Sequence, residues 1–219
     1  MNREPFVTGE YYHVYNRGVD KRDIFMSRKD VDRFSLSIKE FNQHQPIRSL
    51  KDKAIENKDS SGVEPPKVLV SVVFYCLNPN HFHFILKQEI DGGISEFMKR
   101  LSGGYTTYFN LKNKRSGALF QGRFKSKLID NDAYLLRIRP YVHLNYMLHD
   151  IPEDKKFLVL SSEKEYEDDN FNLVSKDEAQ KVLDLYGGKE NLKKEALEVV
   201  AQIREERGLV PLEEEDLLP

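Results

Sequence analysis

Two histidines separated by one phenylalanine are the residues whose types and spacing point most directly to chemistry. His81, Phe82 and His83 lie in a run of β-forming residues, and residues two apart on a strand project to the same face. Both imidazoles therefore point one way and Phe82 points into the core. Two adjacent imidazoles supply half of a metal site for a first-row divalent ion, or for Mg²⁺ if oxygen ligands complete its coordination. The alternative is two hydrogen-bonded strand histidines with no ligand.

A second set of reactive side chains lies along a predicted helix. Tyr134, Ile138, Tyr141 and Asn145 recur at spacings of three, four and seven residues, which places them on one helical stripe. Tyr141 and Asn145 can then present a phenol and an amide oxygen to the same point. If this stripe packs over the sheet face that carries the two histidines, the site is that of a metal-assisted nucleophile. The alternative for Tyr141 is a core aromatic at helical spacing.

The charge distribution indicates an anionic partner although the formal net charge is only −2. Residues 1–149 carry 24 Lys and Arg against 16 Asp and Glu, whereas residues 150–219 carry 10 against 20. The segment 97–129 contains no acidic residue, and a field of one sign over that length indicates an anion-binding surface. Its eight basic residues are Lys99, Arg100, Lys112, Lys114, Arg115, Arg123, Lys125 and Lys127.

Aromatic residues alternate with these cations, a composition that suits single-stranded DNA. The cations would bind phosphates and the rings would stack on bases; the alternative is that the rings are core and the charges a solvated face. Arg123, Lys125 and Lys127 alternate on a predicted strand and are expected to contact phosphate. Arg17, together with His13, is expected to approach the same face. The aromatic residues are Phe97, Tyr105, Tyr108, Phe109, Phe120 and Phe124.

The hydrophobic patterns predict an α+β fold. The strands are predicted at 11–16, 68–77, 81–87 and 119–129, and the helices at 30–41, 94–111 and 133–148. Gly103 and Gly104 interrupt the second helix, and Pro140 lies inside the third. The order βαββαβα predicts a ferredoxin-like antiparallel sheet with helices on one face.

Composition divides the chain into two predicted parts. Residues 1–150 form the main domain, and its segment 45–67 is a charged, Ser-, Gly- and Pro-containing stretch predicted to be a flexible insertion. Residues 151–219 form an acidic extension with helices at 176–186 and 192–206, which either covers the basic surface until DNA competes or only increases solubility. The chain shows neither a signal peptide nor a transmembrane run, so we expect a cytoplasmic protein with Cys76 as a buried thiol.

Four motifs in order resemble those of the REP-associated tyrosine transposases, members of the IS200-like, single-tyrosine HUH transposase superfamily in which HUH stands for histidine, hydrophobe, histidine. Taken together they are fairly specific, and the resemblance runs from about residue 8 to 200. The motifs are YYHVYNRG at 11–18, NHFH at 80–83, LFQGRFK at 119–125 and YVHLN at 141–145.

The resemblance implies a role for each matching residue. His81 and His83 become ligands of a divalent metal, Mg²⁺ or Mn²⁺, Tyr141 the nucleophile and Asn145 the third ligand. Tyr134 is the rival nucleophile, but the residue four positions after it is an isoleucine, which cannot bind metal.

Two positions depart from the family pattern. Pro140 stands where an arginine is common, and Tyr146 stands where a proline usually follows the asparagine. An interior proline costs about 3 kcal/mol and kinks a helix. We therefore expect the helix to bend or restart near Tyr141, and the activity of this copy stays open.

The resemblance implies a metal-dependent endonuclease and transposase that nicks and rejoins single-stranded DNA through a 5′-phosphotyrosine. Its DNA partner would lie at hairpin-associated repeats in the nucleoid, with no membrane partner, and the active form would be a monomer or a homodimer. Two alternatives stay open. One is a hairpin-binding protein derived from such a transposase that has lost catalysis, and the other is an unrelated phosphodiesterase that uses water as its nucleophile.

Overall fold

The computed structural model describes residues 5–45, 67–149 and 151–211. The predicted insertion at 45–67 lies outside these ranges except for its two end residues. The main part of the chain contains β1 (Tyr11–Arg17), α1 (Arg28–Phe41), β2 (Val70–Asn78), β3 (His81–Gln88), α2 (Gly93–Lys112), β4 (Lys125–Leu128) and α3 (Asp132–His143). The C-terminal part contains β5 (Leu160–Ser161), α4 (Glu163–Glu167), α5 (Lys176–Tyr186) and α6 (Lys189–Glu206), and 3₁₀ turns lie at Val19–Lys21, Asn145–Leu148 and Glu153–Leu158.

The described residues form one five-stranded sheet in the order β4-β1-β3-β2-β5. Every neighbouring pair is antiparallel. Pro79 and Asn80 turn β2 directly into β3, so Asn78 lies opposite His81. This confirms the predicted α+β class, and the helical C-terminal region is also present.

Helices cover both faces of the sheet, whereas the sequence predicted one face. On one face, β3 packs against α1 and α2 through Phe82, whose ring lies 5.5 Å from that of Phe34. Phe34 in turn lies 4.9 Å from the Tyr105 ring of α2. On the opposite face, α3 approaches the strand histidines, with the Tyr141 and His83 rings 5.5 Å apart. The polar face of β3 therefore lies under a helix instead of facing solvent.

Helix α2 runs without a break through the two glycines that were expected to interrupt it. A Cβ atom on Gly104 would lie 2.8 Å from Cε2 of Phe41. The glycine therefore lets the ring at the end of α1 pack directly on the α2 backbone. The contact between the two helices, and not a helix break, accounts for this glycine.

Helix α3 contains Pro140 and ends three residues later, so it is shorter than the predicted helix at 133–148. The N–H of Leu144 still donates to the Pro140 carbonyl at 3.0 Å. Asn145 then begins a 3₁₀ turn. The expected restart near the nucleophile is confirmed, and Tyr141 and Asn145 lie on two successive elements.

The extension after residue 150 packs onto the main part. Strand β5 pairs with β2, and Arg137 of α3 forms an ion pair with Glu206 of α6. Leu144 and Leu148 pack with Leu197 and other apolar residues of α6 in a second small core. None of the helices in the described ranges is both long enough and apolar enough to cross a lipid bilayer.

Asp30 is a fully buried acid at the start of α1. Its carboxylate accepts hydrogen bonds from Lys112 Nζ at 2.6 Å, Tyr108 Oη at 2.9 Å, Ser27 Oγ at 2.9 Å and Met26 N at 3.1 Å. Burial by itself would raise the pKa of the Asp30 carboxyl, but these hydrogen bonds outweigh burial and lower it. The charged form is therefore the one that stabilises the fold.

We predict that Asp30→Asn lowers the free energy of unfolding by about 1.5–3 kcal/mol at pH 7, the value of hydrogen bonds to a charged group. Because the folded pKa lies below the unfolded value, this contribution is present above pH 4 and is lost as the pH falls through the folded pKa. Urea unfolding at pH 7 and pH 3 measures both values. Asp32→Asn, which removes an exposed i,i+4 pair with Arg28, is the matched control and should change stability by less than about 0.5 kcal/mol. A difference from wild type that grows at acid pH would contradict the prediction.

Candidate active site

The register of three strands brings the candidate residues to one face of the sheet. Tyr15 of β1 lies opposite His83 on one side and Lys125 on the other. Arg17 lies opposite His81. Residues directly opposite each other in a ladder project to the same face, so the imidazoles and the cations share the face that α3 covers.

His81 contacts an asparagine at each ring nitrogen, with Asn78 Nδ2 lying 3.1 Å from Nε2. Its Nδ1 atom lies 2.5 Å from Asn80 Oδ1, and an amide oxygen only accepts hydrogen bonds. The proton therefore sits on Nδ1 and the lone pair on Nε2. That Nε2 atom lies 3.1 Å from Asn145 Oδ1 and 3.1 Å from His149 Nε2, so three candidate donor atoms lie close together.

His83 is oriented by a second imidazole. Its Nδ1 atom lies 2.8 Å from Nε2 of His13 on β1. With the proton on His83 Nδ1, the other ring nitrogen of His83 keeps its lone pair for a ligand, as in metal sites where a neighbouring group fixes the tautomer. The His81 and His83 rings are 5.2 Å apart and nearly perpendicular.

All three imidazoles are neutral at pH 7. Burial, and next the nearby His149, lowers the pKa of His81 to about 3. Burial and the nearby Lys127 lower the pKa of His13 to about 4. Burial and the surrounding imidazoles, first that of His13, hold the pKa of His83 well below its ordinary value. Neutral imidazole is the form that binds metal, so this environment keeps the three histidines in the protonation state that can act as a metal ligand.

Asn145 is completely buried at the end of α3. Asn78 donates a hydrogen bond from Nδ2 to Asn145 Oδ1 at 2.9 Å. The Nδ2 atom of Asn145 has no hydrogen-bond partner among the described residues. A buried amide whose Nδ2 has no hydrogen-bond partner costs free energy. That cost favours a functional role for this side chain, whose oxygen lies beside His81.

The donor set fits a divalent ion. It consists of two neutral imidazoles and the Asn145 amide oxygen, which suits first-row divalent ions and also Mg²⁺ if phosphate or water oxygens complete the coordination. Within the described residues, no three side chains of His, Cys, Asp or Glu are grouped to hold a metal. The amide oxygen of Asn145 is the candidate third donor beside the two imidazoles.

Tyr141 reaches this face from the last turn of α3. Its ring lies 5.5 Å from His83 and 6.0 Å from His13, edge-on to both. The rival Tyr134 lies seven residues earlier on the same helix, with Lys127 Nζ 3.9 Å from the centre of its ring. Burial, and next the nearby Tyr15, raises the pKa of Tyr134 to about 12, which disfavours its phenolate.

Two cavities meet at Tyr141, and Tyr15, His83 and Tyr141 line both. The first, which we call the histidine cavity, has a volume of about 260 Å³ and is also lined by Asn16, Arg17, His81, Gln121, Lys125 and His149. The second, which we call the Tyr134 cavity, has a volume of about 320 Å³ and is also lined by His13, Lys127, Tyr134, Arg137, Ile138, Ile203 and Arg207. Tyr141 therefore lies where the two cavities adjoin.

Three of the predicted DNA-binding residues lie at these cavities, namely Arg17, Lys125 and Lys127. Arg123 precedes β4 and lines a different cavity with Lys99. Lys114 is exposed in the turn after α2.

The other three predicted cations are used in internal contacts. Lys112 pairs with Asp30. Arg100 pairs with Glu96 and also donates to the Gln43 carbonyl. Arg115 donates to Asn110 Oδ1 and to the Ala118 carbonyl. These contacts lie among α1, α2 and their flanking loops, so the structure does not bring these three residues to the site.

The sequence interpretation missed several residues of the site. Alternation on β1 could have identified Tyr15 as a neighbour of His83, and the spacing of four after Asn145 could have pointed to His149. Arg137 and Arg207 gave no comparable signal. Arg207 lies 62 positions after Asn145 and reaches the site only because α6 packs on α3.

Comparison with protein families supports the resemblance found in the motifs. Residues 66–145 match the family model described as "Transposase IS200 like", and this span contains both strand histidines, Tyr134, Tyr141 and Asn145. A solved structure of a REP-associated tyrosine transposase bound to a REP hairpin is similar at 14% identity and a TM-score of 0.49, covering 80% of this chain and 90% of that chain. No curated protein matches the chain.

Proposed function

We propose that this chain is a metal-dependent endonuclease and transposase of single-stranded DNA that cuts and rejoins the strand through Tyr141. The observation that carries this proposal is the meeting of four groups on one sheet face. They are the neutral imidazoles of His81 and His83, the buried amide of Asn145 and the phenol of Tyr141, whose ring lies 5.5 Å from that of His83. The match of residues 66–145 to an IS200-like transposase family supports the same activity.

The reaction exchanges one phosphodiester for another. Tyr141 Oη attacks the phosphorus and loses its proton, the bond from phosphorus to the 3′ oxygen breaks, and the leaving oxygen takes up a proton. The products are a 5′-phosphotyrosine and a free 3′-hydroxyl. A divalent ion, Mg²⁺ or Mn²⁺, held by His81, His83 and Asn145 would neutralise charge on the phosphate. Because the bonds broken and made are alike, the reverse reaction rejoins the strand.

The surrounding residues bind and orient the DNA in this proposal. Arg17 and Lys125 line the histidine cavity and provide cations for phosphates. Tyr15 lies between the two cavities and offers a ring for an unstacked base. The resemblance to REP-associated tyrosine transposases supports single-stranded DNA beside a short hairpin as the substrate. Residues 1–150 would form the nuclease unit and 151–219 its extension.

The test is covalent capture of DNA. The full chain is incubated with a labelled single strand that contains a hairpin and a flanking segment, with Mn²⁺ or Mg²⁺, and is then separated under denaturing conditions. We expect a labelled band at the mass of protein plus DNA that a protease removes and a chelator prevents. Cleaved DNA with no adduct would favour a phosphodiesterase that uses water.

A second candidate is a hairpin-binding protein that has lost catalysis. Pro140 favours it, because this residue stands immediately before Tyr141 and within the last turn of α3. In that case the protein would bind hairpin DNA with strong salt dependence and would give neither adduct nor cleavage with Mg²⁺ or Mn²⁺. The same experiment, with a binding measurement beside it, separates the two candidates.

A further inference from the structure

The Tyr134 cavity shares Tyr15, His83 and Tyr141 with the histidine cavity, but neither His81 nor Asn145 lines it. Beside residues of β1 and β3, its walls include Lys127 from β4, Tyr134 and Arg137 from α3, Ile203 from α6 and Arg207 directly after α6. The acidic extension thus contributes a basic residue to the wall of the candidate site. Its volume of about 320 Å³ falls at the lower end of the range for small-molecule pockets, which is room for about one nucleotide unit.

Two of the three cations at this cavity, Lys127 and Arg207, make no direct ion pair within the described residues, and Glu206 attracts Arg207 only at longer range. Arg137 is paired with Glu206. Among the residues that the structure describes, no carboxylate lies within ion-pair distance of Lys127 or Arg207. Lys127 Nζ lies 3.9 Å from the centre of the Tyr134 ring, and Arg207 Cζ lies 5.5 Å from that of the Tyr141 ring. Both charges therefore flank the cavity and are available to an anion.

The cavity also offers aromatic surface. Tyr15, Tyr134 and Tyr141 are all partly exposed and line its wall. Rings of this kind stack on bases without regard to sequence, and cations beside them bind the backbone. Together with the volume, this composition matches a nucleotide of a single strand better than it matches a small apolar ligand.

The segment that carries Arg207 is anchored. Arg204 donates hydrogen bonds to the carbonyls of Met147 and Val210, and Ile203 is buried in the core between α6 and the 3₁₀ turn after α3. The ion pair between Arg137 and Glu206 adds a link one residue before Arg207. The backbone at Arg207 is therefore fixed next to α3, and its guanidinium lies over the Tyr141 ring.

We propose that the Tyr134 cavity binds the nucleotide next to the scissile phosphate, with Lys127 and Arg207 holding its backbone phosphate. This inference rests on the proposed function, since it takes the phosphate at Tyr141 as the one that is cut. It assigns the C-terminal extension a direct part in binding DNA, which neither a solubilising appendage nor a cover over the basic surface would have.

The first experiment measures the salt dependence of binding in Tyr141→Phe protein, which cannot be consumed by adduct formation. Arg207→Ala and Lys127→Ala are each compared by fluorescence anisotropy on a labelled single-stranded oligonucleotide. Each lost phosphate contact should reduce the steepness of log K against log salt by about 0.7. Between 1 M and 0.1 M salt, the variant would then gain about fivefold less affinity than its parent. Lys194→Ala is the control, because Lys194 is exposed on the same helix about 20 Å away along its axis.

The second experiment identifies the phosphate. Single phosphates of the oligonucleotide are replaced one at a time by uncharged methylphosphonates. We expect one substitution beside the cleavage position to weaken binding by the Tyr141→Phe protein and to have little further effect on its Arg207→Ala variant, because the two changes remove the same contact. Arg207→Lys should keep most of the salt slope, which shows that charge and not folding is responsible.

An unchanged salt slope in Arg207→Ala and Lys127→Ala, or additive effects at every methylphosphonate, would overturn the inference. If the wild-type chain still forms adducts, the proposed function survives that outcome. If the wild-type chain neither binds nor captures single-stranded DNA, the proposed function itself fails.

Discussion

Tyr141→Phe is expected to abolish the covalent DNA adduct completely, because the phenol oxygen is the atom that would bond to phosphorus. Tyr134→Phe should retain adduct formation within about tenfold, an effect of less than about 1.4 kcal/mol on the barrier. The measurement is the amount of labelled protein-DNA complex under denaturing conditions after a fixed time. Both substitutions remove one hydroxyl from a tyrosine of the same helix, so each serves as the control for the other.

The structure separates the two tyrosines in four respects. Of the two, only Tyr141 lines both cavities, and it is edge-on to His83. Lys127 lies over the ring of Tyr134, and burial raises the pKa of that phenol to about 12. Adducts that persist in Tyr141→Phe and disappear in Tyr134→Phe would show that the assignment is wrong.

Loss of metal binding in His81→Ala and His83→Ala is the second large effect that we expect. Removing a group that merely orients a ligand already costs about 10–100-fold in metal affinity, so removing a ligand should cost at least about 100-fold. Titration calorimetry with Mn²⁺ in Tyr141→Phe protein, without DNA, measures this directly. It does not depend on whether the chain cuts DNA.

The matched control is His44→Ala, which removes an exposed imidazole from the loop after α1. It should leave the Mn²⁺ affinity unchanged. Asn145→Asp should keep or increase the affinity, because a carboxylate oxygen is a stronger ligand for hard ions than an amide oxygen. Equal Mn²⁺ binding by wild type and both histidine variants would contradict the assignment of His81 and His83 as ligands.

The elements with strong local signals could be predicted from the sequence. The predicted bounds of β2 and β3 lie within two residues of the observed bounds at each end. A short turn between two apolar segments allows little but a hairpin. Strand β4 was predicted at 119–129 and spans only Lys125–Leu128. Phe120 instead makes an isolated bridge with Gly18, and Gly122 adopts a positive φ, so the chain before β4 turns where an alternating pattern suggested a strand.

The candidate site could be predicted only where spacing within one element determines proximity. His81 with His83 is such a pair, and Tyr141 and Asn145 each reach it across the end of α3, at His83 and at His81 respectively. The basic residues of α2 show the limit of this reasoning, because Lys112 pairs with Asp30, which lies 82 positions earlier. Charge patterns along a sequence cannot reveal a partner that the fold brings from another helix.

Strand β4 also has a consequence for how copies of this protein behave toward one another. It forms one edge of the sheet, is four residues long and has two exposed lysines. Short, lysine-bearing edges resist pairing with the strand of another molecule, which is a common route to aggregation. Lys125 and Lys127 therefore protect the sheet edge as well as lining the two cavities. Variants that neutralise these lysines remove both properties at once. Their oligomeric state should therefore be measured together with their DNA affinity.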